Sequence, residues 1–445
     1  MAKDTPSSFR NLVIYECYVR NHGPHGTFSD VEADLERIRA LGVDILWFMP
    51  IHPIGKLNKK GSLGCPYSIV NYSEVNPEYG TKDDFARLIE KAHAMGLKIM
   101  IDVVYNHTAH DSVLVKDHPD WYHQDASGKP VTTVPEWSDV IDLKHPNADL
   151  SAYLIETLQG WAKFGVDGFR CDVASLLPEA FWVEARQAVA QVKPGVIWLA
   201  ESVHAAFVEH RRKKNLSAIS DSEVHRGFDM TYDYDIFTIW QAAVEGKQPV
   251  ARYLEMLRFQ EAIYPANFIK MRCVENHDQK RIMDLAPTRE QALAWTAFEA
   301  FNRGSFLIYG GQESAASHTP SLFDIDKVEW KNYELALFLT TLAKLKKEPA
   351  LKTGVFTITS DEPVIQAVWE NPGDNLVGVF NVRGAAGSTR ASIPDGTYQE
   401  LLGGGSVTIR NGQVNLPATA IILRVPGILA EQHPFHADLL DYHSA

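Results

Sequence analysis

The sequence predicts a (β/α)8 barrel followed by a small antiparallel β domain. Over the first two-thirds of the chain, short apolar runs alternate with amphipathic helical segments, and strand-like alternation without helices follows from about Gly354. Seven apolar runs are clear, and an eighth, weaker run lies near Phe228–Tyr232. Eight strands fit a closed barrel better than an open, doubly wound sheet. The clear barrel strands are Val13–Val19, Ile45–Met49, Leu97–Val104, Val166–Cys171, Val196–Ala200, Ile269–Val274 and Phe306–Tyr309.

Capping signals predict where the first two long helices begin. Ser29 with Glu32, and Thr81 with Asp84, have the spacing of N-terminal capping boxes. Apolar residues behind each pair repeat with helical spacing, so each helix is expected to bury one stripe against the barrel.

A long third loop and a change of pattern near the C-terminus set the domain organisation. The helical pattern stops between residues 106 and 146, and a loop of that length in a compact domain is usually functional. In the last segment, Asn411-Gly412 is the dipeptide that type I′ hairpin turns favour. The predicted units are the first part of the barrel, 1–106; loop subdomain B, 107–146; the second part of the barrel, 147–350; a C-terminal β-sandwich domain, 351–430; and a tail, 431–445.

Charge and hydropathy exclude several classes of partner. The 445 residues carry a net charge of −13, and the one basic run, Arg211–Lys214, is expected on a solvated helix face, so nucleic acid is not an expected partner. No apolar stretch is long enough to span a membrane, and the N-terminus lacks the apolar region of a signal peptide, which predicts a cytoplasmic protein. The sequence does not predict the oligomeric state. The cysteines form no C-x-x-C pair and are expected to be buried free thiols: Cys17, Cys65, Cys171 and Cys273.

Acidic residues stand at the ends of four predicted strands. Asp102 ends the third strand, Asp172 the fourth, Glu201 the fifth and Asp278 the seventh. In a (β/α)8 barrel, the loops at the carboxyl ends of the strands converge on one mouth, where active sites lie. A single Asp would be interpreted as a helix cap or an ion-pair partner, but four acids directed at one place favour catalysis.

Cleavage of a glycosidic bond with retention needs such a group of acids. One carboxylate attacks the anomeric carbon, and a carboxylic acid about 5–5.5 Å away protonates the leaving oxygen. Further negative charge stabilises the oxocarbenium-like transition state. Crowding also raises the pKa of the acid that must donate a proton.

The sequence resembles the α-amylase family, glycoside hydrolase family 13, over the barrel and beyond. Its four signature segments occur in order as DVVYNH, GFRCDVA, LAES and ENHD. The resemblance implies that Asp172 is the nucleophile, Glu201 the acid/base, and Asp278 the group that holds the sugar 2- and 3-hydroxyls. It also implies that Arg170 orients the nucleophile, that His107 and His277 hydrogen-bond the sugar at the cleavage subsite, and that Asp102 supports the shape of the site.

Other residues are candidates for contacts with substrate. Tyr67 lies in a segment similar to the family loop whose aromatic ring stacks on the sugar in the cleavage subsite. Val203 and His204, directly after the acid/base, are expected to line the acceptor side. For the aromatic residues of the third loop, sugar binding and packing are equally open: Trp121, Tyr122 and Trp137. Trp47, inside a strand, is expected in the core.

A structural calcium ion, which many family members hold, is left open, and no other cofactor is expected. Asn106 of the first signature is present, and Asp139 and Asp142 could supply oxygen ligands. However, Asp172 is followed by Val-Ala-Ser-Leu-Leu-Pro, without the histidine that usually completes the site.

The expected activity is hydrolysis of α-1,4-glucosidic bonds, with α-1,6 bonds as a side activity, in maltooligosaccharides, cyclodextrins, pullulan or related α-glucans. The alternative is an α-glucan transglycosylase, or a sucrose- or trehalose-active relative, that uses the same nucleophile. A third interpretation is a catalytically silent carbohydrate-binding relative. It predicts the loss of a catalytic carboxylate, whereas all three are present.

Overall fold

The computed structural model describes residues 4–360 and 363–427 and contains a closed parallel barrel of eight strands. This confirms the predicted fold class, including the weak strand near Phe228. Two short strands of the third loop, β4 (His107–Ala109) and β5 (Val140–Asp142), pair antiparallel outside the barrel. The barrel strands are β1 (Val13–Cys17), β2 (Ile45–Phe48), β3 (Lys98–Val103), β6 (Gly168–Cys171), β7 (Ile197–Ala200), β8 (Met230–Tyr232), β9 (Lys270–Arg272) and β10 (Ser305–Tyr309).

Helices follow the barrel strands and cover the barrel from outside. The helices within the described residues are α1 (Val19–His22), α2 (Phe28–Ala40), α3 (Lys82–Ala94), α4 (Val113–Asp117), α5 (Ala148–Phe164), α6 (Glu179–Val192), α7 (Ala205–Lys213), α8 (Asp221–Val224), α9 (Phe237–Val244), α10 (Val250–Ile263), α11 (Ile282–Leu285), α12 (Arg289–Phe301), α13 (Ala336–Leu345) and α14 (Pro349–Thr353). Within the described part of the chain, none of them combines the length and apolar character that a bilayer-spanning helix needs.

The order of strands around the barrel decides which loops face each other across its mouth. The ring runs β1-β10-β9-β8-β7-β6-β3-β2 and closes on β1, so β7 lies four steps from β1 in either direction. The loop after β7 therefore stands across the mouth from the segments that follow β10, β1 and β2.

One predicted helix start is confirmed and the other is wrong. Helix α3 begins with a capping box between Thr81 and Asp84. Helix α2 uses Thr27 with Asp30 instead of Ser29 with Glu32. Both pairs have the same spacing, but the fully buried Phe28 is the first residue of the helix, so Thr27 directly before it is the N-cap.

The C-terminal domain is antiparallel, as predicted. It contains a six-stranded sheet in the order β11-β12-β13-β18-β15-β16 and a separate two-stranded sheet, β14-β17. Asn411 and Gly412 both have positive φ (51° and 68°), as the predicted turn requires. The residues of β14 and β15 are mostly polar and at least partly exposed. The strands are β11 (Val355–Ser360), β12 (Ile365–Glu370), β13 (Gly373–Phe380), β14 (Ser388–Arg390), β15 (Gly396–Glu400), β16 (Ser406–Ile409), β17 (Gln413–Asn415) and β18 (Ala420–Gly427).

Aromatic contacts join this domain to the barrel. The indole N–H of Trp369 donates to the Phe301 carbonyl at 2.7 Å, and Phe380 packs against Phe298 and Phe301 of α12. The whole predicted tail, 431–445, and the last three residues of the predicted β domain, 428–430, lie outside the described residues. The proposed domain bounds remain predictions.

Burial confirms some details of the sequence analysis and corrects others. Trp47 is fully buried, as predicted. All four cysteines are free, but Cys65 is only half-buried because it lies in the loop after β2. The prediction of a solvated Arg211 is wrong: its guanidinium is buried and donates to the Ser217 carbonyl at 3.1 Å and the Thr133 hydroxyl at 2.9 Å, which ties α7 to subdomain B.

Candidate active site

The ends of four barrel strands bring the predicted acids to one mouth. Asp102 lies in β3 beside Arg170 of β6, its register partner, and Asp172 follows β6 directly. Glu201 directly follows β7, and Asp278 lies in the loop after β9. Asp102 is fully buried and Asp172 and Glu201 are each 7% exposed, whereas the Asp278 side chain is 37% exposed and open to the cleft.

Arg170 holds three of these acids around one guanidinium. Its Nη1 donates to Asp102 Oδ1 at 2.8 Å and to Asp172 Oδ1 at 2.9 Å, and its Nη2 lies 2.9 Å from Glu201 Oε2. Its Nε donates to the Tyr232 hydroxyl at 3.1 Å. Because the guanidinium is planar and buried, it sets the position of both predicted catalytic carboxylates.

Glu201 has the environment of an acid that keeps its proton near neutral pH. Burial raises the pKa of Glu201 to about 7, and the charges of Asp172 and Asp278 add to the rise while Arg170 opposes it. One Glu201 oxygen accepts the backbone N–H of Val173 at 2.8 Å. Val173 has a left-handed backbone (φ 36°), which is unusual for a β-branched residue, and in this conformation its N–H points to Glu201.

Asp172 becomes ionised at lower pH than Glu201. Burial raises the pKa of Asp172 to about 6, with Arg170 opposing the rise and Asp102 adding to it. The two carboxyls therefore differ in the direction that a nucleophile and an acid require.

A chain of hydrogen bonds links Tyr67 and His277 to the acids. The Tyr67 hydroxyl donates to Asp102 Oδ2 at 2.9 Å and accepts from His277 Nε2 at 2.8 Å, and the two rings stack with centroids 5.4 Å apart. His277 Nδ1 pairs with Glu16. Burial opposes charging of His277, but Asp278 and Glu16 raise its pKa well above the usual value. The charged ring, 3.2 Å from Asp278, in turn outweighs burial and lowers the pKa of Asp278.

Two residues of the site were missed by the sequence analysis. Glu16, fully buried in β1, fixes the far side of the His277 ring, and Tyr232 in β8 accepts from Arg170. Glu16 could have been found from the sequence, because a single charged residue inside the apolar run Val13–Cys17 requires a buried partner.

His107 stands beside an aromatic ring at the entrance of the site. Burial lowers the pKa of His107, which makes it a neutral hydrogen-bonding group. Its ring lies 5.6 Å from that of Trp137, which is half-exposed and 6.4 Å from the Phe207 ring. Trp121 and Tyr122 are buried, which indicates packing for those two.

Val203 and His204 form the wall next to Glu201. Val203 is buried in a small apolar cluster against which Trp137 and Phe207 pack. His204 stacks on Tyr234 at 5.3 Å, and its Nδ1 lies 2.7 Å from the Tyr234 carbonyl.

The candidate calcium ligands are engaged by protein groups. Asp139 Oδ1 is 2.9 Å from the ammonium of Lys60, Asp142 accepts the Thr133 N–H at 2.8 Å, and the Asn106 amide faces the His107 ring. Within residues 4–360 and 363–427, His, Cys, Asp and Glu side chains form no cluster of three that could hold a metal ion. Calcium needs six to eight oxygen ligands, and the ammonium repels a second cation, so this donor set does not fit calcium.

The fold and the mouth of the barrel define the chain as a member of the α-amylase family of glycosidases. Residues 6–335 match the family model for the α-amylase catalytic domain, and residues 357–423 match that for the bacterial α-amylase C-terminal domain. The chain thus contains both the catalytic barrel and the β domain of the family.

Solved structures of α-amylases resemble it over most of its length. An α-amylase from Lactobacillus plantarum is 40% identical, with 94% of this chain and 100% of that chain covered and a TM-score of 0.91. The noncanonic maltogenic α-amylase AmyB from Thermotoga neapolitana is 32% identical, with 95% and 100% covered and a TM-score of 0.84.

Longer relatives match it in part. The α-amylase MalA of Haloarcula japonica is 26% identical over 93% of this chain and 62% of its own length. An α-1,4-glucan:maltose-1-phosphate maltosyltransferase of Rhodospirillum rubrum is 32% identical over 57% of this chain and 37% of its own length. The chain therefore spans less than two-thirds of these relatives.

Proposed function

We propose that the protein is a retaining α-glycoside hydrolase that cleaves α-1,4-glucosidic bonds in α-glucan oligosaccharides, with α-1,6 bonds as a side activity. One observation carries the proposal: a single guanidinium, that of Arg170, contacts both Asp172 and Glu201 at 2.9 Å. Carboxyls held at neighbouring nitrogens of one group are spaced for the retaining mechanism, which needs them close together.

Each acid then has one task. Asp172 attacks the anomeric carbon and forms a glycosyl ester while Glu201 gives its proton to the leaving oxygen. Glu201, now ionised, takes a proton from water, whose oxygen displaces Asp172 and completes a second inversion. Asp278 faces the open cleft as a carboxylate, and its charge suits the sugar hydroxyls and the positive character of the transition state.

The substrate class follows from the ring at the mouth and from the names of the relatives. The Tyr67 ring lies next to the acids, and an aromatic ring suits the C–H face of a pyranose. The proposal is tested by incubating the enzyme with maltoheptaose, pullulan, cyclodextrin, sucrose and trehalose and resolving the products over time. Release of maltooligosaccharides is expected, and turnover of sucrose or trehalose alone would contradict the substrate class.

Transfer to a sugar acceptor is the second candidate function. It is favoured by the half-exposed rings of Trp137 and Phe207 on the Glu201 side, because an aromatic acceptor wall lets a sugar compete with water for the same intermediate. The maltosyltransferase relative is consistent with it. Products longer than the starting maltoheptaose would show that transfer occurs.

Trp137→Ala is expected to shift the reaction from transfer to hydrolysis. Loss of the ring weakens acceptor binding, so the ratio of long to short products should fall about tenfold, the effect of losing ~1.4 kcal/mol of stacking, while cleavage of dilute substrate changes little. The measurement is product chromatography at high maltoheptaose concentration. Phe259→Ala, at a 52% exposed ring on α10, is the matched control. An unchanged product ratio would remove Trp137 from the acceptor side.

We propose that Lys60 replaces a calcium ion as the cation that joins the loop after β2 to subdomain B. The ammonium contacts Asp139 and the Glu136 carbonyl, both at 2.9 Å. A chelator is expected to leave the melting temperature unchanged, because no ion that binds only the folded state is removed. Lys60→Met should lower it by about 1–2 °C, since the pair is partly exposed. Exposed Lys56→Met is the control, and a chelator-induced drop would contradict the proposal.

We also propose that the enzyme works in the cytoplasm. The support is chemical: the four cysteines are all free thiols, three of them buried, which suits a reducing compartment. Fractionation of the native host and detection of the protein in the cytoplasmic fraction is the test.

A further inference from the structure

A segment after β10 crosses the rim of the barrel. We call residues 318–328 the strap. It begins beside the loop that carries Asp278, where Arg281 donates to the His318 carbonyl at 3.2 Å and Thr319 donates to the Gln279 carbonyl at 3.1 Å. The strap then passes over the end of β1, where its Leu322 carbonyl accepts from the Tyr18 hydroxyl at 3.0 Å and from Arg20 at 3.1 Å.

The strap then contacts the loop after β2 directly. Asp324 accepts the N–H and the hydroxyl of Ser62 at 2.8 and 2.6 Å, and the Phe323 carbonyl accepts the Leu63 N–H at 3.0 Å. A Cβ added to Gly61 would lie 2.4 Å from the Phe323 Cβ, so the two segments are in close contact. We call the contacts of Ser62 and Leu63 with Asp324 and Phe323 the seam. It lies a few residues before Tyr67.

The same loop is also joined to subdomain B on its other side. Lys60 pairs with Asp139, the Lys56 N–H donates to Asp111 at 2.9 Å, and Gly55 packs against the Cβ of Ala109. A continuous rim therefore runs from the Asp278 loop, along the strap and the loop after β2, to subdomain B.

The position of this rim in the barrel identifies the side it closes. It stands over β1, which lies four steps around the ring from β7, and over β10 and β2, which each lie three steps from it. Glu201 and Val203 follow β7. Glu201 protonates the leaving group, so the acceptor part of the substrate lies on the β7 side. The rim thus closes the opposite side, where the glycone chain continues toward its non-reducing end.

We propose that the strap and the loop after β2, held together by Ser62 and Asp324, block the glycone side and make the enzyme act from the non-reducing end of an α-glucan. The inference rests on the proposed function and adds a specificity to it. A chain that meets the rim can enter only a fixed distance past the cleavage point. The enzyme therefore releases one short product of constant length, and the pair Ser62–Asp324 sets that length.

The test uses maltoheptaose that carries a fluorophore at its reducing end. The wild type is expected to release one dominant short unlabelled product from the beginning of the reaction. Asp324→Ala and Ser62→Ala remove side-chain hydrogen bonds of the seam, at a partly exposed and an exposed position. Both are expected to at least halve the share of that product in favour of longer unlabelled ones. Asp284→Ala, at an exposed acid of α11, is the control and should keep the wild-type pattern.

Two outcomes would overturn the proposal: a wild type that produces unlabelled products of many lengths from the start, or seam variants that retain the single product. Absence of any cleavage would instead contradict the proposed function itself, so the two failures are distinguishable. Circular dichroism of both seam variants separates a change of specificity from a loss of folding.

Discussion

Asp172→Asn is expected to lower the rate of maltoheptaose cleavage on the order of 10⁴-fold or more. The amide has nearly the same shape but is a poor nucleophile, so the glycosyl ester does not form. The fold is expected to persist because Arg170 keeps Asp102 at 2.8 Å and Glu201 at 2.9 Å as partners. Initial rates and a thermal melt of the purified variant measure both effects.

Azide tests the assignment of Asp172 as nucleophile in a second way, because the configuration of the azide product shows which side of the sugar was attacked. In Asp172→Ala the cavity admits azide, which attacks the anomeric carbon from the nucleophile's side and yields a β-configured glycosyl azide. Asp117→Asn, at an exposed acid of α4 in subdomain B, is the control and should retain full activity. Residual activity within tenfold of the wild type would contradict the nucleophile assignment. A wild type that binds maltoheptaose without turnover would favour the silent carbohydrate-binding relative.

Glu201→Gln is expected to lower glucan cleavage about 10²–10⁴-fold, the usual contribution of an acid/base group. The loss should be far smaller for formation of the ester from α-maltosyl fluoride, because fluoride leaves without a proton. With azide, this variant should give the α-configured azide, since Asp172 still forms the ester and azide replaces water in the second step.

The pH profile tests the same assignment. Activity of the wild type should fall as the pH drops through about 6, where Asp172 gains a proton, and as it rises through about 7, where Glu201 loses one. In Glu201→Gln the alkaline decline should disappear for the fluoride substrate. Equal losses with both substrates, or an unchanged alkaline limb, would show that Glu201 acts structurally and not as the acid/base.

The positions of the acidic residues at the strand ends were predictable because they depend on local sequence. Apolar runs define the strands, and a (β/α)8 barrel brings the carboxyl ends of its strands together, so Asp172, Glu201 and Asp278 could be placed at one mouth before any coordinates. The structure brings them there, and Arg170, which was expected to orient the nucleophile, contacts Glu201 as well as Asp172.

Long-range partners were not predictable in the same way. The pairing of Glu16 with His277 joins residues 261 positions apart, and Lys60 with Asp139 joins two loops whose relative placement the sequence pattern does not encode. The prediction of a solvated Arg211 was wrong for a related reason. A basic run is normally solvated, but Arg211 donates a hydrogen bond to Thr133 of subdomain B.

The stereochemistry of the first product tests the central claim most directly. Cleavage of maltoheptaose followed from its first minutes by proton NMR reports which anomer leaves the enzyme before mutarotation. Double displacement through Asp172 predicts that the new reducing end is α-configured. A β-configured first product would mean a single displacement by water and would contradict the assignment of Asp172 as nucleophile.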